Sequence, residues 1–235
     1  MSNFLLVHGA WHSGEAWRRV TPLLSDAGHR VFAPSLTGHG DRAHLLGADT
    51  GLDTHVDDVV GLIEAEHLTD VVLVGHSYAG LVISSVANEI PDRIAQLVYL
   101  DAMVPTDGES AVDVMPITQV LIDQAARSDV PWRIPPMASP GALFGVTDPA
   151  DVAWLRGTLS DESVRCLQQP VRLDNPAANR IPRAYIECTV GALERRPVPP
   201  VQPNGDPFEV WELPTGHDCM ITMPVELSEL LLKLA

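Results

Sequence analysis

Apolar residues in this chain fall into two alternating patterns. Short unbroken runs, Phe4-Leu5-Leu6-Val7, Val71-Val72-Leu73-Val74 and Leu97-Val98-Tyr99-Leu100, lack the in-and-out rhythm of a half-exposed strand and predict strands buried on both faces. Between the runs, apolar positions recur at helical spacing. Trp17, Val20, Leu23 and Leu24 predict a helix over residues 16–27, ended by Gly28. Val31-Phe32-Ala33, stopped by Pro34, reads as a second strand, and a helix is expected over about 54–66. A third strand, a helix ending near Pro91 and a strand at Ile94–Leu100 follow. Such alternation predicts an α/β fold with a mostly parallel sheet and helices on both faces.

The rhythm breaks between Pro105 and Pro214, which enclose sixteen of the twenty prolines and only short helical stretches. Strand character returns at Ala184-Tyr185-Ile186-Glu187-Cys188 and Phe208-Glu209-Val210-Trp211, and a last helix is expected over about 224–234. Residues 105–180 are expected to form an inserted cap over the carboxyl ends of the strands, where open α/β sheets place their sites. Residues 1–104 and 181–235 would then form the core. Trp132, Phe144 and Trp154 favour a packed lid over a linker.

The Val71–Val74 run ends in Gly75-His76-Ser77-Tyr78-Ala79-Gly80 and opens directly into Leu81-Val82-Ile83. A strand, a Gly-x-Ser turn and a helix in that order hold a serine in strained backbone with its hydroxyl exposed, backed by free helix N–H groups. Ser77 is therefore a candidate nucleophile, and a hydroxyl needs a base. Of nine histidines, His217 lies between the last strand and the last helix, the place a late histidine takes to reach such a serine. His76 adjoins Ser77 but is expected to point away from the turn apex. His39 on a loop, and His55 and His67 on or near an exposed helix, are expected in solvated roles. The N–H groups of Tyr78 and of Ala10, in the loop His8-Gly9-Ala10-Trp11, are candidates for an oxyanion hole.

Composition narrows the classes. At 46% hydrophobic and 20% charged residues the chain is neither disordered nor membrane-spanning, and a net charge of −16 disfavours nucleic acid and anionic membranes. Met1-Ser2-Asn3 leads straight into a strand, so no signal peptide is expected, and three cysteines without ligand spacing (Cys166, Cys188, Cys219) lead to the expectation of a reducing, cytoplasmic setting. No His/Asp/Glu cluster has metal-ligand spacing, and residues 75–80 are not a dinucleotide loop, so neither metal nor organic cofactor is expected.

Val7-His8-Gly9-Ala10-Trp11-His12, Gly75-His76-Ser77-Tyr78-Ala79-Gly80 and Gly216-His217-Asp218-Cys219-Met220 together resemble the α/β-hydrolase superfamily. They are most similar to its small esterase branch of plant methylesterases, hydroxynitrile lyases and bacterial pyrethroid-type carboxylesterases. The resemblance implies a serine hydrolase with Ser77 as nucleophile, His217 as base and Ala10 and Tyr78 as oxyanion donors. One element departs. The branch places its acid three residues beyond the Cys188 position, where this chain has Gly191. Asp101, at the end of the strand after the nucleophile helix, is the leading replacement and Glu194 the alternative.

The expected function is hydrolysis of a small, largely apolar carboxylic ester, thioester or lactone through an acyl-enzyme on Ser77. Trp11, Met103, Met115 and Trp132 are candidate pocket walls. The expected partner is a small-molecule ester, with no nucleic acid and no membrane, and a homodimer is left open. The vacant acid position keeps a non-hydrolytic binding or cyclisation role as the alternative. A hydroxynitrile lyase is disfavoured, because the threonine and lysine those enzymes carry are here Gly9 and Asp218.

Overall fold

The computed structural model describes residues 1–191 and 196–235. Strands β1 (Asn3–Val7), β2 (Arg30–Phe32), β3 (Val71–His76) and β4 (Ile94–Leu100) come from the first half of the chain. The short pair β5 (Arg133–Ile134) and β6 (Glu162–Ser163) lies in the middle, and β7 (Arg183–Cys188) and β8 (Glu209–Leu213) follow. Six of them form one sheet in the order β2-β1-β3-β4-β7-β8, and every pairing in it is parallel. The unbroken Val/Leu runs occupy its centre, where β3 is buried along its whole length. Helices α1 (Thr21–Asp26), α2 (Leu52–Ala65) and α3 (Ala79–Glu89) connect the first four strands. Residues 79–87 of α3 are all buried, which explains why this helix shows little polar face in sequence.

The helix expected over 16–27 divides into a 3₁₀ turn at Gly14–Trp17 and α1. Pro22 is the cause. It has no N–H to donate to the preceding turn and its ring clashes with that turn, so it sits in the first turn of a new helix.

Between β4 and β7 the chain forms the short helices α4 (Ala111–Val114), α5 (Thr118–Ala125), α6 (Pro140–Phe144), α7 (Pro149–Thr158) and α8 (Val164–Gln168), with the antiparallel β5/β6 pair. Several contacts fasten this segment to the rest. Arg19 grips Asp151 through two hydrogen bonds, and Arg18 lies 3.8 Å over the Trp154 ring. The Trp11 indole N–H donates to the Ile134 carbonyl (3.2 Å), while the Trp11 carbonyl accepts from Ser160 N–H (2.8 Å). The chain closes with α9 (Cys219–Thr222) and α10 (Pro224–Lys233). No helix among the described residues is long and apolar enough to cross a membrane.

Register decides where the chemistry falls. Val7 pairs with Gly75, His76 with Leu100, Leu100 with Ile186 and Cys188 with Leu213. The strands thus end together. The loops that begin at His8, Ser77, Asp101, Thr189 and Pro214 all emerge from one sheet edge, the carboxyl edge.

Candidate active site

Ser77 follows β3 with a φ of 57°, left-handed geometry that costs a non-glycine residue ~1–3 kcal/mol. Backbone hydrogen bonds enforce it: Ser77 N–H donates to Leu100 O (3.2 Å), and Ser77 O accepts from Met103 N–H (3.0 Å) and Gly80 N–H (3.1 Å). Two glycines allow the crowding. A Cβ on Gly80 would run into the Met103 carbonyl, and one on Gly9 would lie 2.8 Å from Ser77 Cβ. The β1 loop therefore rests directly on the serine turn. Trp11 (φ 63°) and Asp101 (φ 48°) are strained in the same way at the same edge.

Asp101 is 2% exposed and uses both carboxylate oxygens. Oδ1 accepts from Cys188 N–H (3.0 Å), and Oδ2 accepts from His217 Nδ1–H at 2.6 Å, the length of a charge-assisted bond. With its proton held at Nδ1, the His217 imidazole keeps Nε2 as a lone-pair acceptor. Glu194, the alternative acid, lies outside the described residues.

His76 is buried, with its ring centroid 4.4 Å from that of His217, and its Nε2–H donates to the His217 carbonyl (3.1 Å). It braces the His217 ring from behind. His12 does similar work for the loop that carries Ala10. Its Nδ1 lies 2.9 Å from Ala10 O and its Nε2 3.0 Å from Asp218 Oδ2. Both partners are acceptors, so both nitrogens donate and the ring is an imidazolium. Burial by itself would lower the His12 pKa, but the Asp218 carboxylate outweighs it and the pKa is raised. The ion pair ties Ala10 to the residue after His217. His8 is the opposite case. Nδ1–H donates to Gly9 O and Nε2 accepts from Leu36 N–H, so the ring is neutral, and burial and the neighbouring His39 hold its pKa well below 6.5. Among the described residues no protein hydrogen bond engages the N–H of Ala10 or of Tyr78.

Ser77, His217, Ala10 and Tyr78 line one cavity of about 230 Å³, walled almost wholly by apolar side chains. Trp11, Met103 and Met115 are among its walls; Trp132 is not. Its carbonyl instead accepts from Val164 N–H beside the β5/β6 pair, which sets this stretch away from the wall. Ile117, Leu121, Met137, Leu143, Phe144 and Leu167 supply further apolar wall. They sit on short helices and the loops between them, too short to show periodicity, so the sequence carried no signal for them. A narrower cleft on the other side of Ser77 is lined by Asp101, Val104, Tyr185 and Arg196. Arg196 is committed there to Glu109, whose carboxyl it pulls down to about 2.

The solvated roles expected for His39 and His55 are corrected by the structure. Both are fully buried, because Glu162 and Cys166 of the 105–180 segment cover that face.

Comparison with known proteins agrees with this architecture. Residues 4–230 match the model of the alpha/beta hydrolase family. The chain is 39% identical to the carbendazim hydrolyzing esterase of Nocardioides sp. over the whole of both chains. It is 31% identical to the pyrethroid hydrolase of Sphingobium wenxiniae, across 97% of this chain and 86% of that one. In structure it resembles an extracellular alpha/beta-hydrolase from a Paenibacillus species (TM-score 0.83, 24% identity, 99% of this chain and 98% of that one). It also resembles a methylesterase from Arabidopsis (TM-score 0.79, 23% identity, 100% and 98%). With the parallel sheet, the strained serine turn and the late histidine all in place, the chain belongs to the alpha/beta hydrolase family, as a carboxylesterase-type hydrolase of its small esterase branch.

Proposed function

We propose that this enzyme hydrolyses a small, largely apolar carboxylic ester through an acyl-enzyme on Ser77. The observation that carries the proposal is the 2.6 Å contact from His217 Nδ1 to Asp101, itself fixed by Cys188 N–H. That contact leaves His217 Nε2 free to take the Ser77 proton as Oγ attacks the ester carbonyl. The N–H groups of Ala10 and Tyr78 stabilise the tetrahedral oxyanion. The imidazolium then protonates the leaving alcohol, and the neutral ring activates water to release the acid and regenerate Ser77. The 105–180 segment acts as the lid that keeps bulk water from this cycle. At roughly 30 Å³ per water-sized group, the cavity of about 230 Å³ holds on the order of eight such groups, which suits a small ester. Arg19–Asp151 and the Trp11 contacts support a lid that is seated without substrate.

Asp101 beside His217 removes the motive for a non-hydrolytic role, which rested on Gly191. Labelling by a fluorophosphonate probe, lost in Ser77→Ala, with turnover of short p-nitrophenyl esters, tests the proposal. Carbendazim and a pyrethroid, named in the relatives, are the next substrates to try. An unlabelled wild-type chain with no ester turnover would overturn it.

A further inference from the structure

We propose that His39, His55 and Glu162 form a buried divalent-cation site, suited to zinc, that staples the 105–180 segment to the loops at the sheet edge. Nothing in the proposed ester chemistry requires it.

The three residues come from the loop after β2, from α2 and from β6, and all are fully buried. One ring nitrogen of each histidine and one carboxylate oxygen lie within 4.8 Å of one another. Neither His39 nitrogen and not Glu162 Oε2 makes a hydrogen bond among the described residues, whereas Glu162 Oε1 accepts from Ser163 N–H (2.9 Å). Burying such polar atoms without partners is costly. His39 Nε2 and Glu162 Oε2 stand 3.4 Å apart. A charge-assisted hydrogen bond would be about 2.7–2.9 Å. Nitrogen and oxygen bound at about 2.0–2.1 Å around a tetrahedral ion are separated by about 3.3 Å. The gap has the length of a tetrahedron edge.

His55 is oriented as metal ligands are. Its Nε2 donates to Thr37 O (3.0 Å), so Nδ1 carries the lone pair; that lone pair accepts from the Tyr78 hydroxyl (3.2 Å), a bond the cation would replace. Thr37 is itself held by Asp58 through its N–H (2.6 Å) and hydroxyl (3.0 Å). Cys166 supplies a fourth group, with Sγ 3.9 Å from His55 Nδ1. Its thiol proton is directed at the Thr50 carbonyl (3.6 Å). On binding, the cation would displace that proton to solvent, and one carboxylate and one thiolate would neutralise a dication. Nitrogen, oxygen and sulfur donors together select zinc over magnesium or calcium. A second trio, His76, His217 and Asp218, is equally close. Its Asp218 Oδ1 also lacks a hydrogen bond among the described residues, but the Asp218 charge is already paired with the His12 imidazolium and His217 Nδ1 with Asp101, so it is the weaker candidate.

The test is metal content and melting temperature. Dialysed protein is assayed by elemental mass spectrometry, stripped with EDTA, then returned to ZnCl₂. The expected result is about one zinc per chain and a Tm about 5 °C or more lower after stripping, restored by ZnCl₂. Cobalt in the stripped chain should give intense visible bands of a tetrahedral site, with a thiolate band lost in Cys166→Ser. Glu162→Gln should cut zinc content about tenfold or more while retaining fluorophosphonate labelling. A wild-type chain with under about 0.1 zinc and an identical Tm with and without ZnCl₂ overturns the proposal. Full zinc content in Glu162→Gln overturns it as well, by placing the metal elsewhere. If Glu162→Gln does not fold, the wild-type measurements decide alone.

Discussion

Replacing Asp101 by Asn is the sharpest challenge to the proposed mechanism, because the side chain has two fixed obligations. Oδ1 must accept from Cys188 N–H and Oδ2 from His217 Nδ1–H. An asparagine has one oxygen for two donors. If the oxygen stays on Cys188, the amide NH₂ faces His217 and forces its proton onto Nε2, where it can no longer take the Ser77 proton. If the amide flips, NH₂ meets Cys188 N–H in a site that is 2% exposed, and a buried donor goes unmet. The first arrangement costs less, so the wrong tautomer dominates. In chymotrypsin-type proteases this exchange lowers kcat about 10⁴-fold, or about 5.4 kcal/mol of barrier at 1.36 kcal/mol per decade. The expectation here is a loss of three to four decades, roughly, in the acylation rate of p-nitrophenyl acetate, with KM little changed. Stopped-flow release of p-nitrophenol separates acylation from deacylation, and the melting temperature checks the fold. A folded Asp101→Asn enzyme within about tenfold of wild type would refute the assignment of Asp101.

Other expectations follow from the same geometry. Ser77→Ala should keep its fold and lose turnover by about six decades, the scale seen for the nucleophile of subtilisin, with residual activity above a tenth of wild type counting against Ser77. The His12–Asp218 pair gives a pH signature in stability. The raised His12 pKa means that the folded chain holds a proton the unfolded chain has released. Its contribution is complete below pH 6.5 and fades as pH climbs through the raised value, so wild-type Tm should fall there more steeply than that of Asp218→Asn. Trp11→Phe deletes the donor to Ile134 O and should cost ~1–3 kcal/mol, or about 2–12 °C in Tm by calorimetry.

Sequence reasoning succeeded where one local pattern implied one geometry. The apolar run, the Gly75–Gly80 turn and the following helix define the serine turn without any long-range information, and the late position of His217 follows from topology. Asp101 could be ranked above Glu194 because a strand end is a rigid place, and its contact with His217 accords with that ranking. What failed depended on partners far along the chain. His55 reads as an exposed helical residue until Glu162 and Cys166, more than a hundred positions later, are laid over it. Trp132 reads as a wall because it is large and lies in the insert. The pairing of two-residue strands that sets it aside has no periodicity to detect. Pro22 was visible, but the helical rhythm on both sides concealed its effect.

The Trp11 carbonyl and Phe144 carbonyl hydrogen bonds have an evolutionary meaning. One joins the insert to the residue beside Ala10, and the other joins it to Asp218, the residue after His217. Both are made by backbone atoms, which survive almost any side-chain replacement. Ile117, Leu121 and Met137 can therefore diverge from lineage to lineage and reshape the cavity while the anchoring of the His217 and Ala10 loops is inherited unchanged. Point mutation can explore this pocket freely. Grafting a whole insert from a relative would fail unless its main chain presents groups at the same two places.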